Sequence, residues 1–291
     1  MWGTIVNAES LANHTLRTVA RTAAYARRAT SATRGVAVNL KSVDAARGNQ
    51  LLNSLPQSEL AQLGPALELR SIKARDSVMR RGEPLAAVYF PLSCVLSTVA
   101  EGAGGEIVEV ATIGNEGMEG VSLFLGVDRS TTLQTFAQVP GEALVMRARD
   151  FSAHVRASAR LAEIMGRYTQ ALLTQISQSG ACNRMHAAEE RCARWLLMTH
   201  DRVHRDEFEL THEFLAQMLG VRRATVSEVA GVLQSAGIIQ YSRGRITVLD
   251  RLALEERSCE CYRLIRDEYT RLLAPPDLST SRATVRLVPR P

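Results

Sequence analysis

The stretch from residue 211 to 249 constrains the fold of this chain more than any other. Thr211 is a good helix N-cap, and Glu213 falls in the first turn, where the helix dipole favours an anion. Phe214-Leu215 and Met218-Leu219 give an apolar face for a helix of only about two turns. Gly220 then breaks it, because glycine readily takes the left-handed backbone of a tight helix–helix turn. A second helix over about 222–236 turns Val226, Val229 and Leu233 inward and leaves Arg223, Ala224, Ser227, Glu228 and Gly231 outward. Gly237 ends it. Ile238-Ile239-Gln240-Tyr241 and Ile246-Thr247-Val248-Leu249 read as two strands around Ser242-Arg243-Gly244-Arg245. The expectation is helix, turn, helix and a hairpin wing, with the wing at 241–248.

Such a unit suits DNA. The first helix, opened by Thr211, crosses the backbone, and the second enters the major groove by its N-terminus. Arg222 and Arg223 sit at that leading end, and Arg can grip guanine O6 and N7 with two hydrogen bonds. Thr225 and Ser227 can reach phosphate or bases, and Glu228 can accept from cytosine N4. Arg243 and Arg245 in the wing can meet flanking phosphates. The competing reading is a ligand-binding or protein-interaction module whose winged helix contacts protein instead of DNA.

Upstream the pattern differs. Residues 68–151 hold short β-rich runs such as Val88-Tyr89-Phe90, Val95-Leu96-Ser97-Thr98-Val99, Ile107-Val108-Glu109-Val110 and Leu144-Val145-Met146, separated by Gly or Pro. That spacing suggests a small antiparallel barrel or sandwich. From about Asp150 the period turns helical. Leu161, Met165, Tyr168, Leu172, Gln175 and Ser179 recur at steps of 4, 3, 4, 3 and 4, the seam a two-stranded coiled coil needs. The alternative is one helix packed on its own barrel. A further helix is expected over about 187–203, then a polar link at 204–210.

Charge says little about the folded body. The net charge is +5, and residues 1–50 hold seven basic and two acidic side chains, which is the whole excess. Residues 1–48 therefore read as a flexible basic arm, or as an organelle transit segment, and 274–291 as a disordered tail. No apolar run approaches the roughly 20 residues of a membrane helix, so no membrane partner is expected. The five cysteines, Cys94, Cys182, Cys192, Cys259 and Cys261, are scattered, which favours a reduced cytoplasmic setting and no metal site. Cys259 and Cys261 fall on an expected C-terminal helix, where i and i+2 residues face apart. His200 and His204 could pinch a metal but lack a third ligand, and His154 reads as a surface residue with Met118 as the other conceivable haem ligand. No nucleophile–base–orienter set or phosphate loop appears, so the chain does not read as an enzyme.

Through Leu210-Thr211-His212-Glu213-Phe214-Leu215-Ala216-Gln217-Met218-Leu219-Gly220-Val221-Arg222-Arg223-Ala224-Thr225-Val226-Ser227 the chain resembles the Crp/Fnr superfamily of bacterial transcription regulators, over about 51–272. The resemblance implies an α+β protein: an antiparallel, cyclic-nucleotide-type β-roll at 49–152, a long dimerisation helix at 153–182 and a winged helix-turn-helix at 183–273. It implies a homodimer that reads near-palindromic double-stranded DNA beside RNA polymerase. Cyclic-AMP-binding members read Arg-Glu-Thr-Val-x-Arg where this chain has Arg223-Ala224-Thr225-Val226-Ser227-Glu228, so the operator should differ. Those members also carry a Gly-Glu-Leu-Gly turn and a later Arg-Ser or Arg-Thr. Here the turn is Gly117-Met118-Glu119-Gly120, Thr131 falls at the Arg position, and Arg129 lies two residues away. Met118, Glu119, Gly120, Arg129 and Thr131, with Gln175 and Ser179, are the candidate effector residues; a cyclic nucleotide is not expected and no cofactor is evident. Iron–sulfur members carry an N-terminal cysteine cluster, and residues 1–93 here have no cysteine.

Overall fold

The computed structural model describes residues 40–130 and 132–274. Most of the expected arm (1–39), the tail from 275 and Thr131 lie outside the described residues. Three short helices come first: α1 (Leu40–Ala46), α2 (Gln50–Asn53) and α3 (Gln57–Leu63). The first lies within the stretch read as an arm, yet Val43 and Ala46 are buried in the main core with Leu51, Leu52 and Leu60. Small apolar side chains among polar ones gave too weak a pattern to show this. Asn49 fixes the entry to α2: it caps Leu52 N and donates to the carbonyls of Pro91 and Gly117, at 2.9 and 2.8 Å.

Seven strands follow: β1 (Glu68–Ile72), β2 (Ser77–Met79), β3 (Ala87–Pro91), β4 (Val95–Glu101), β5 (Ile107–Ile113), and, after the short α4 (Val121–Phe124), β6 (Leu133–Val139) and β7 (Gly141–Arg147). They form two antiparallel sheets, ordered β1-β7-β3 and β2-β6-β4-β5. Strand β4 is buried at five consecutive positions from Val95 to Val99, polar Ser97 and Thr98 included. Both of its faces are covered, so each hydroxyl must find a partner. Thr98 meets Thr135 and Glu119 on one face, and Ser97 meets Glu109 and Gln138 on the other.

Ser158 separates α5 (Ala148–Ala157) from the 27-residue α6 (Ala159–Met185) and caps the latter through Leu161 N. Then come α7 (Ala188–Val203), β8 (Glu207–Glu209), α8 (His212–Leu219), α9 (Arg223–Ser235), the hairpin β9 (Ile239–Ser242) and β10 (Arg245–Val248), α10 (Arg251–Arg257) and α11 (Cys261–Leu273). Strand β8 pairs with β10 and makes the wing three-stranded. The polar link expected at 204–210 therefore contains a strand, which a single apolar residue, Phe208, was too little to signal.

The expected coiled-coil seam is occupied within the chain. Leu161, Met165, Tyr168, Leu172, Gln175 and Ser179 are all buried. The Tyr168 hydroxyl donates to the Met118 carbonyl at 2.7 Å, and its ring lies 6.4 Å from that of Tyr269 in α11. Gln175 donates to the Thr112 carbonyl at 2.9 Å. Periodicity identified a buried face, but the β-roll and α11 bury it.

Arg202 on α7 joins the parts. It is buried and pairs with Glu116 through Nε and Nη2, at 3.0 and 2.8 Å, while Nη1 reaches the Met198 carbonyl and Nη2 also reaches the Thr112 carbonyl and the Gln175 amide oxygen. Glu116 also accepts from Gly114 N. Removing one member leaves a charge buried without a partner. Arg202→Met should cost about 3–5 kcal/mol, read as a lower urea midpoint at unchanged slope. Adding Glu116→Gln should return part of that loss, and no return would show that the pair does not act as a unit.

Candidate nucleic-acid interface and effector pocket

The helix-turn-helix forms as its residues dictate. Thr211 accepts from Phe214 N at 3.1 Å, so its hydroxyl is committed to the cap of α8. Gly220 ends that helix with φ +62°. In α9, Val226 and Leu233 are buried, joined by Ala230, while Val229 is half-buried. Arg222, Arg223, Ala224, Ser227, Glu228 and Gly231 are exposed and Thr225 is half-buried. Arg243 and Gly244 form the two-residue wing turn with φ +50° and +78°, the backbone of a tight, right-twisting hairpin.

Besides Thr211, two candidate side chains are engaged locally. Arg245 pairs with Glu207 at 3.1 Å and Glu209 at 3.9 Å, both on β8, the strand the sequence did not reveal. The Ser227 hydroxyl donates to the Arg223 carbonyl at 3.2 Å and lies 3.0 Å from His212 Nδ1. His212 stacks on Tyr241 at 4.1 Å and so joins both helices to the wing. Burial, then the Arg223 charge, holds the His212 pKa below 6.5. Neither His212 nor Tyr241 stood out in the sequence, because their pairing exists only once helix and wing have folded.

This surface faces the β-roll. Arg222 and Arg223 line a cleft of about 890 Å³ with Glu106 and Val108. Thr211, Arg243 and Arg245 line another of about 430 Å³ with Arg75 and Gln138. Besides Arg202–Glu116 and the Asn115–His204 contact, the two parts are closed together by Trp195 Nε1 to Glu109 at 2.8 Å, Gln138 to Thr199 at 3.0 Å, and Phe214 edge-on to Phe136 at 6.0 Å.

Inside the β-roll is a cavity of about 340 Å³ lined by Met118, Glu119, Arg129 and, from α6, Leu172 and Ile176. The Glu119 carboxyl accepts from Thr135 at 3.1 Å, Thr98 at 3.3 Å and Gly120 N at 2.9 Å. Burial outweighs these bonds and pushes its pKa up. Arg129 is half-exposed and held by Asp128 at 3.1 Å. Gln175 and Ser179 do not line the cavity; they bond Thr112 and Arg194 instead. His200 and His204 diverge, the first to Asp206 and Arg251, the second to Asn115. Cys259 and Cys261 were expected to face apart on one helix. The chain breaks between α10 and α11, so they sit on a bend and converge with Cys182 and His186.

A carboxyl whose folded pKa exceeds 4.5 contributes stability that is full below 4.5 and is lost as pH rises through the folded value. Glu119→Gln keeps the shape and removes the titration. Its melting temperature should therefore gain on the unsubstituted protein as pH rises toward neutrality; parallel curves would contradict the assignment.

Residues 190–257 match the family model described as the Crp-like helix-turn-helix domain. A comparison with curated protein sequences found no match. Among solved structures, a putative Crp/Fnr-family transcriptional regulator from Eubacterium rectale superposes with a TM-score of 0.56 at 19% identity, over 76% of this chain and 99% of that one. A CRP/FNR-family regulator from Thermus thermophilus gives 0.55 at 21% identity, over 66% and 98%. A c-di-GMP-responsive global regulator from Xanthomonas campestris gives 0.54 at 16% identity, over 66% and 99%. Together with the antiparallel β-roll, the long helix and the winged unit, these matches show that the chain carries a Crp-like helix-turn-helix domain on the fold of Crp/Fnr-family transcriptional regulators.

Proposed function

We propose that the protein is a homodimeric, sequence-specific DNA-binding regulator acting in the cytoplasm on near-palindromic promoter sites beside RNA polymerase. The observation that carries this reading is the exposed Arg222-Arg223 pair at the leading end of α9, next to a wing tipped by Arg243. The arrangement suits a major-groove helix flanked by a backbone contact. In the described conformation these groups look onto the β-roll, so DNA engagement requires the winged unit to swing away. The cavity bearing Met118, Glu119 and Arg129 suits a small, largely apolar effector that bonds one carboxyl group.

The dimer contact falls on the outer face of α6. Glu163, Gly166, Gln170, Leu173, Ser177, Gly180 and Arg184 are exposed at steps of 3 and 4, the repeat of a helix pair. This stripe replaces the buried seam as the proposed helix–helix contact.

Fluorescence anisotropy with promoter fragments tests DNA binding. Affinity should fall steeply with salt. Arg223→Ala should relax preference at one base position, while Arg243→Ala should weaken all sequences alike and reduce the salt slope by about 1. Trp195→Phe removes the indole N–H that Glu109 accepts and should raise DNA affinity by favouring the open form. Salt-insensitive binding, or none at low salt, contradicts the proposal and leaves a protein-contacting winged helix. Sedimentation velocity should show a dimer that Leu173→Arg converts to monomer; an unchanged dimer would place the contact elsewhere.

A further inference from the structure

Cys182 lies in the last turns of α6, and His186 caps the same helix one turn later. Cys259 and Cys261 flank Glu260 at the bend before α11. The donor atoms of these four residues all lie within 4.8 Å of one another. Cys182 Sγ is 3.5 Å from Cys259 Sγ, and Cys261 Sγ is 3.5 Å from His186 Nδ1. The three thiols are buried, and His186 stands at the edge with Glu260 3.3 Å from its Nε2.

We propose that Cys182, His186, Cys259 and Cys261 form a tetrahedral site for one thiophilic divalent cation, zinc, that clamps the two ends of the winged helix-turn-helix together. A zinc ion with Zn–S bonds of about 2.3 Å sets its donors about 3.7 Å apart, which the two 3.5 Å separations match. A cluster of several irons spreads its thiolates across cluster edges and needs wider spacing. Three thiolates and a neutral imidazole around zinc leave one negative charge. Two buried arginines of α7, Arg191 and Arg194, each with an unbonded Nε, supply the opposing charge beside it. Arg191 also donates to the carbonyl of Leu219, the last residue of α8, and so links the site to the helix-turn-helix corner. Gln178 donates to Cys261 Sγ at 3.1 Å and orients that ligand. Residues 183–258 form the loop the ion closes. Binding releases the thiol protons, so affinity falls as pH drops.

The test uses the full chain, purified under reducing conditions, stripped with chelator and titrated with Co²⁺ without oxygen. One equivalent should produce thiolate-to-cobalt charge-transfer bands and the intense visible bands of a tetrahedral site, both bleached by Zn²⁺. Cys182→Ser and Cys259→Ser should each abolish the bands, and Cys94→Ser should retain them. Should a ligand variant fail to fold, alkylation of the unsubstituted protein decides: Zn²⁺ should protect Cys182, Cys259 and Cys261 while leaving labelling of Cys94 and Cys192 unchanged. Weak octahedral cobalt spectra, unprotected thiols, or a Cys182–Cys259 disulfide in metal-treated reduced protein would overturn the proposal.

Discussion

The buried pair of Arg202 and Glu116 is the constraint on which the rest of the structure depends. Two charges removed from water are tolerated only when each is fully hydrogen-bonded. Here that requirement draws in groups from three directions: Gly114 N and the Thr112 carbonyl from the β-roll, Gln175 from α6, and the Met198 carbonyl from α7. Meeting it fixes the roll, the long helix and the first helix of the winged unit in one arrangement. Apolar packing alone would allow these surfaces to slide; directional bonds to a buried guanidinium do not.

The long helix also offers a physical route between cavity and winged unit. Leu172 and Ile176 line the cavity, while Gln175, between them in sequence, bonds Thr112 and Arg202. The helix face that lines the cavity is thus tied, through Gln175, to the bonds that hold Arg202. Glu109 adds a second sensitive point, since burial pushes its carboxyl up while it accepts from Ser97, Thr112 and Trp195 across the closed contact.

The local patterns were legible in the sequence: Gly220 at the corner, Val226 and Leu233 inward, arginines outward, and β-rich runs punctuated by glycine. What stayed hidden depended on partners distant in the chain. The α6 periodicity showed a buried face without showing that α11 and the roll cover it. Arg245 read as a phosphate contact because Glu207 and Glu209 sit on a strand with one apolar residue. Cys259 and Cys261 read as facing apart because a helix was extended through a bend that only the folded chain reveals. The candidate effector residues divided for the same reason: Met118, Glu119 and Arg129 share a cavity, whereas Gln175 and Ser179 serve the helix packing.

The bend before α11 brings the chain leaving the winged unit back to the point where it entered, with Cys259 beside Cys182. A unit attached at two distant points is a beam, and it moves only by bending its supports. A unit whose ends meet is a door on a single hinge, able to rotate only once its latch contacts to the β-roll, the buried Arg202–Glu116 pair among them, are released. The same geometry makes residues 183–258 a cassette. It can be set on another sensor at a single junction where that sensor supplies partners for Arg202, Trp195 and Thr199.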